Sequence, residues 1–208
     1  MRRREGGALP RVHAITDERV ARRPDLSEVA RALAAAGGER LAFHARGRGL
    51  SGLEHYELAV RLSAYPPARL FVNDRLDVAL AVEAAGVELG WGSLAPPDAR
   101  RLDRAWWIGA SVHDLREAEA ARVGGADYLV VGPVYETATH AEREPLGLAR
   151  LEPIVALGLP LIAIGGVTAE RAGELARAGA YGVAAIRALW DTGDPAQAAR
   201  RMLEEWHT

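Results

Sequence analysis

The residues of this chain best suited to chemistry stand where apolar runs stop. Leu159–Ile164 is an unbroken apolar run that ends abruptly in Gly165-Gly166. Two glycines at a strand end let backbone N–H groups approach an anion with no Cβ in the way, although the same pair would also serve a tight strand-to-helix turn. A second buried run, Gly182–Ile186, follows one helix later. If these are the last two strands of a barrel, the amides of Gly165, Gly166, Ala185 and Ile186 make a phosphate site. His113 follows Ser111-Val112 at the end of another apolar run and directly precedes a helix. A helix N-terminus biases an imidazole toward its neutral form, which suits a general base near neutral pH.

Cationic and polar groups occur at other run ends. His44, Arg46 and Arg48 are spaced two apart, so on an extended strand His44 and Arg46 share a face. Two such groups in a barrel mouth are costly without an anion to meet them, which makes Arg46 a ligand candidate; Arg48 is either a ligand or a solvated loop residue. Asn73-Asp74-Arg75 ends a third run. Asn73 and Asp74 would hold a metal, bind substrate or cap the next helix, and Asp74 immediately before a helix fits a cap. Thr137 and Thr139, with His140, lie in a long loop after Gly132-Pro133 and suit a cover over a ligand or plain loop chemistry. His13, inside an apolar run, reads as structural.

The elements that must position these groups alternate from end to end. Strand-like runs are expected at Arg11–Thr16, Leu41–Arg46, Arg69–Asp74, Val87–Gly90, Trp107–Val112, Tyr128–Val134, Leu159–Gly166 and Gly182–Ile186. Helices are expected over Leu26–Ala36 (capped by Asp25 or Ser27), Leu53–Ala64, Asp77–Ala85, Pro96–Leu102, Leu115–Val123, Leu148–Ala156, Arg171–Ala178 with Thr168 as its cap, and Pro195–Trp206. Eight consecutive strand–helix units of about 25 residues predict an α/β fold, a single-domain (β/α)8 TIM barrel over residues 10–208 behind a flexible tail over residues 1–9. Function in such a barrel gathers at the C-terminal ends of its strands and the loops that follow them, where every ligand candidate above falls.

Composition narrows the chemistry. Hydrophobic residues make up 49% and charged residues 26%, ordinary values for a globular domain. The absence of cysteine excludes disulfides, thiolate metal sites and a cysteine nucleophile. All 26 basic residues are arginine, so no lysine is present to form a Schiff base. A net charge of −2, with no helix-turn-helix or basic helix, argues for a small-molecule ligand and against nucleic acid. No apolar run reaches the roughly 18–20 residues of a membrane span, so a cytoplasmic location with no membrane partner is expected. A homo-oligomer is compatible with the sequence, because Trp91, Trp106 and Trp107 would serve an interface as readily as a core.

Taken together, the motifs resemble the thiamine-phosphate synthase superfamily over nearly the whole chain. They are Ala14-Ile15-Thr16-Asp17, Val72-Asn73-Asp74-Arg75, Gly109-Ala110-Ser111-Val112-His113, Gly125-Ala126-Asp127-Tyr128 with Gly132-Pro133-Val134, Ala163-Ile164-Gly165-Gly166 and Gly182–Ile186. The resemblance implies a barrel that handles a thiazole phosphate, its phosphate held after strands seven and eight. The synthases carry Gln-x-Arg-x-Lys on strand two, a magnesium-holding aspartate after strand four and Thr-x-Thr-Lys after strand six. This chain has His44-Ala-Arg46-Gly-Arg48, a serine (Ser93) in the aspartate's place and Thr137-Ala138-Thr139-His140. It looks instead like the TenI branch, the thiazole tautomerases, which carry His-x-Arg-x-Arg, Ser-Val-His and a Glu-Thr pair at those places. That branch implies an isomerase converting a carboxythiazole phosphate to its aromatic tautomer, with His113 moving the proton, Arg46 on the carboxylate, Asn73 and Thr137 on substrate, and neither cofactor nor metal. The alternatives are a thiamine-phosphate synthase, a transferase that joins a pyrimidine pyrophosphate to the thiazole phosphate with Mg2+, and a TenI-type regulatory or binding protein.

Overall fold

A computed structural model describes residues 7–137 and 144–206. The strands are β1 (Val12–Ile15), β2 (Leu41–Ala45), β3 (Arg69–Asn73), β4 (Gly86–Leu89), β5 (Trp107–Val112), β6 (Tyr128–Val131), β7 (Leu161–Ile164) and β8 (Gly182–Ala185). All neighbours pair in parallel, and β8 pairs with β1, so the sheet closes on itself. The expected (β/α)8 barrel is the observed architecture.

Parity along each strand decides which residues fill the barrel. Val12 and Ala14 of β1, Phe43 of β2, Val72 of β3, Val87 of β4 and Ile108 of β5 pack outward in one large cluster beneath the helices. Their sequence neighbours Ile15, Ala42, Phe71, Trp107, Tyr128, Val130, Ile162 and Ala184 form a separate inner cluster with Leu9. That is the alternation of a pleated strand whose two faces are both buried. His13, His44, Asn73 and Glu88 have the inner parity and are 4% exposed or less, so the lumen is polar toward β1–β4 and apolar toward β6–β8.

The helical layer comprises α1 (Glu18–Ala21), α2 (Leu26–Gly37), α3 (Gly52–Ser63), α4 (Leu76–Ala81), α5 (Pro96–Leu102), α6 (Leu115–Val123), α7 (Glu152–Val155), α8 (Ala169–Arg177), α9 (Arg187–Trp190) and α10 (Pro195–Glu204). Two short helices, α1 and α9, are absent from the sequence expectation. Asp17 builds the first by accepting the Val20 amide at 2.7 Å. The expected Leu148–Ala156 helix shrinks to four residues, with Pro153 in its first turn. Asp25 stands at the N-cap of α2 without capping it, because its carboxylate is held by Arg23 at 2.7 and 2.8 Å. Ser51, by contrast, forms a full capping box with Glu54 on α3.

The floor of the barrel is closed near Leu9, which the tail expectation had left outside the domain. Leu9 is 2% exposed and its carbonyl accepts from the Tyr181 hydroxyl at 2.7 Å. Arg11 lies 3.7 Å from the Tyr181 ring centroid and donates to the Tyr181 carbonyl at 2.6 Å. Of the tryptophans weighed for an interface, Trp106 and Trp107 are core residues, whereas Trp91 is fully exposed beside the mouth.

Inside the lumen, glycine parity matters at one point above all. A Cβ at Gly109 would land on the Tyr128 ring, which is itself fully buried. Gly109→Ala is therefore expected to destabilise the fold by ~1–3 kcal/mol through overpacking. Urea unfolding followed by circular dichroism measures it, and a change under about 0.5 kcal/mol would mean the ring yields freely.

Candidate functional site

The C-terminal ends of the strands open into a cavity of about 1000 Å3. His113, Arg46, Asn73, Thr137, Gly165, Gly166, Ala185 and Ile186 all line it, so the eight residues singled out from sequence are brought together. Thr139 and His140 lie outside the described residues.

Each side of the cavity has its own construction. Thr16 ties β1 to the end of β2: its hydroxyl lies 2.9 and 2.8 Å from the carbonyls of His44 and Arg46, and it accepts the Arg46 amide at 2.9 Å. Arg46 is thereby fixed at the rim. Among the described residues no carboxylate comes within ion-pairing distance of Arg46 or Arg48, and both line the mouth. On the opposite side, Gly165 and Gly166 have φ of 95° and 63°, which only glycine adopts at low cost. A Cβ at Gly165 would strike Pro133, and one at Gly166 would strike the Glu136 carbonyl and Tyr135. The pair thus serves the tight packing of the loop after β6 and also edges the cavity. Arg171 fastens this corner, donating to the Gly166 carbonyl at 2.6 Å and lying 4.3 Å from the Tyr135 ring centroid.

Asp74 does not cap the helix that follows it. Its φ is 62°, Arg75 takes the N-cap position of α4, and its Oδ1 accepts the Gly90 amide at 2.8 Å and the Ser93 hydroxyl. The left-handed turn swings the carboxylate across to the β4 loop, where it faces the mouth. His113 also differs from expectation. Asp114 caps α6 by accepting the Glu117 amide at 2.7 Å, and Glu117 turns back to accept the His113 amide at 2.8 Å and lie 3.0 Å from His113 Nδ1. The imidazole is half-exposed at the cavity wall and held by a carboxylate.

Beneath the mouth runs a line of buried polar side chains. His13 Nε2 lies 3.1 Å from the Pro10 carbonyl and its Nδ1 2.8 Å from His44 Nε2. His44 Nδ1 is 3.0 Å from Asn73 Oδ1 and 3.0 Å from Glu88 Oε2. The line ends at Glu88 Oε1, which accepts from the Ser111 hydroxyl at 2.6 Å. Burial, reinforced by the charge of His44, pushes the His13 imidazole down to about 3. Burial would raise the Glu88 carboxyl, but hydrogen bonding and charge from His44, the Ser111 hydroxyl and the Arg46 charge hold it down at about 2. His44 and Arg46, expected to share a face, divide the work: His44 is fully buried in the lumen and Arg46 stands at the rim. Glu88 was missed by the motif search. The available signal was a charge between Val87 and Leu89 at the inner parity of a short apolar strand.

A Mg2+ ion needs hard oxygen donors and commonly keeps waters and substrate phosphates among its ligands. Asp74 and the adjacent Ser93 hydroxyl offer such donors at the mouth and fit that minimal protein contribution. Among the described residues no cluster of three or more acidic, histidine or cysteine side chains adds to them.

Residues 12–189 match the family model described as thiamine monophosphate synthase. A thiamine-phosphate synthase of Methanospirillum hungatei is 40% identical over 199 residues, 93% of this chain and 96% of that protein. A longer Synechococcus protein of the same name is 45% identical over 139 residues, of which the match spans only 39% of its length. Among solved structures, thiamine phosphate pyrophosphorylase from Pyrococcus furiosus superposes with a TM-score of 0.78 at 32% identity, covering 94% of each chain. These relatives overturn the isomerase expectation. The tautomerase reading rested on the strand-two, strand-five and strand-six motifs, whereas similarity over nearly the full length runs to proteins named for the coupling reaction.

The buried line has a measurable consequence for acid stability. His13 is lowered toward 3 and His55, also by burial, is lowered from 6.5, so the unfolded chain binds their protons first. Stability therefore falls as pH drops below about 6.5, and Glu88, lowered from 4.5 to about 2, extends the loss below pH 4.5. In urea titrations between pH 7 and pH 4.5, His13→Gln is expected to remove up to one proton's worth of slope, ~1.4 kcal/mol per pH unit. An unchanged slope would assign the proton uptake elsewhere.

Proposed function

This chain belongs to the thiamine monophosphate synthase family, and we propose that it is a transferase joining a pyrimidinylmethyl pyrophosphate to a thiazole phosphate. The observation that carries this reading is the division of one cavity between two anion-binding edges. One edge has Arg46 and Arg48 beside the Asp74–Ser93 pair; the other has Gly165, Gly166, Ala185 and Ile186. A two-substrate condensation with a phosphomonoester on one partner and a pyrophosphate on the other needs such a pair of edges.

In this reading the thiazole nitrogen lone pair forms the new bond to the methylene carbon as the carbon–oxygen bond to pyrophosphate breaks. The product is a thiazolium cation and the leaving group is inorganic pyrophosphate. No ring proton has to be removed, so the base role expected for His113 falls away; His113, with Asn73 and Thr137, is assigned to the substrate wall of the cavity. The glycine edge holds the phosphomonoester through backbone amides. Arg46 and Arg48 meet the pyrophosphate, the guanidinium of Arg46 in a two-pronged geometry. They stand where the family's strand-two Arg and Lys stand, so the cationic count on that strand is conserved in sum. Asp74 and Ser93 would hold Mg2+, which when bound neutralises charge developing on the leaving pyrophosphate. Ser93 replaces a charged ligand with a neutral one, which favours weaker metal binding than an aspartate would give.

The purified protein should form thiamine phosphate and release pyrophosphate from the two substrates in the presence of Mg2+. Product by chromatography and pyrophosphate by coupled assay should appear in equal amounts, and no product at any Mg2+ concentration would sink the assignment. Asp74→Asn should lower kcat/KM on the order of 10²-fold or more, as expected for losing a charge that anchors the metal. Ser93→Asp should reduce the Mg2+ concentration needed for half-maximal rate.

A further inference from the structure

The cavity does not end at the glycine edge. Past Ile186 it leaves the ring of strands and runs outward among the helices that follow β7 and β8. Its walls there are Thr168 and Glu170 at the start of α8, Arg187 next after Ile186, and Gln197 and Arg201 on α10. Gln197 and Arg201 are four residues apart on one helix, so they share a face. Arg201 reaches Glu170 at 3.0 Å and ties α10 to α8 across the cleft.

Three carboxylates border this outer arm, and each is already engaged. Glu170 holds Arg201, Asp191 takes Arg19 and Arg23 at 2.7 and 2.8 Å, and Asp194 accepts the Gln197 amide at 2.8 Å. Arg187 has no such commitment. It is exposed, and among the described residues no carboxylate lies within ion-pairing distance of it. The Gln197 carboxamide is likewise without a hydrogen-bond partner among the described residues. A free guanidinium and a free amide N–H2 therefore line the cavity beside the four backbone amides assigned to a phosphomonoester. One phosphoryl group fills the amide edge; a second, joined to it through an anhydride oxygen, would meet Arg187 and Gln197 as donors.

We propose that this outer arm is a second phosphoryl subsite, so that the cavity takes the diphosphate ester of a thiazole or thiazolium alcohol as well as the monoester. This rests on the coupling reading above for the thiazole end of the ligand. Such a diphosphate is what phosphoryl transfer onto the phosphate of the product would make. It occupies the glycine edge in place of the thiazole phosphate, so a compound formed one phosphorylation later competes with the substrate of this reaction.

Isothermal titration of the purified protein with thiamine phosphate and with thiamine diphosphate tests it, both without Mg2+ so that no metal at the Asp74–Ser93 edge takes part. The wild type is expected to bind the diphosphate about tenfold more tightly, the factor of one added charge-assisted hydrogen bond. In Arg187→Ala that ratio should fall to within about twofold, and in Gln197→Ala part of the way. Both positions are exposed, so both variants should keep the wild-type circular dichroism. In steady-state assays thiamine diphosphate should raise the KM for thiazole phosphate in the wild type, and raise it less in Arg187→Ala. If Arg187→Ala weakens both ligands alike, the guanidinium serves the first phosphoryl group and the second subsite is overturned. A ratio that survives Arg187→Ala but is lost in Arg46→Ala would place the diphosphate on the strand-two edge and overturn it as well. Equal binding of the two ligands to a wild type that makes product overturns the subsite alone. A ratio that depends on Arg187 in a protein that makes no product upholds the subsite and overturns the coupling reading.

Discussion

Closure of eight parallel strands forces every second residue of each strand into a buried lumen. That constraint governs what the rest of the molecule does. An apolar residue at inner parity simply packs, as Phe71, Tyr128 and Ile162 do. A polar residue there must find its partners within the ring, because an unpaired group in that setting is costly. His13, His44, Asn73, Glu88 and Ser111 solve this collectively, each one's hydrogen bond completing its neighbour's. The result couples packing to chemistry: the side chains that fill the barrel also decide the polarity of the surface a ligand meets at its top.

Much of this was legible in the sequence. The alternation of apolar runs with capped helices specifies the barrel, because buried parallel strands read as continuous hydrophobic stretches and glycines mark their exits. Strand ends in such a fold are functional ground, so Arg46, Asn73, His113, Thr137 and the two glycine-edged corners could be picked out one strand at a time, and all border one cavity. Boundaries were less certain where local chemistry was ambiguous. Asp25 and Asp74 both look like caps in one dimension; the first is taken by Arg23 and the second turns left-handed to reach Gly90 and Ser93. Neither outcome is written in spacing, since the competing partner of Asp74 lies sixteen residues away in sequence and adjacent only in the ring.

Chemistry was harder to read than architecture for a related reason. Three short motifs favoured an isomerase, yet a carboxylate-held imidazole at a strand end, as His113 is with Glu117, suits more than one chemistry. Relatives matching nearly the entire chain outweigh those motifs, because a whole-length match samples the lumen and both edges of the cavity together. Glu88 shows the limit most plainly. One charge inside a four-residue strand looks like an exception to its pattern until the lumen is closed around it, when it proves to meet His44 on one side and the Ser111 hydroxyl on the other.

The plug at the base of the barrel has a consequence of its own. With Leu9 seated in the lumen, the Tyr181 hydroxyl closed onto its carbonyl and Arg11 laid over that ring, the channel is a blind tube. Solvent displaced by an arriving molecule leaves by the same opening through which that molecule enters, so entry at the mouth and escape of water share one door.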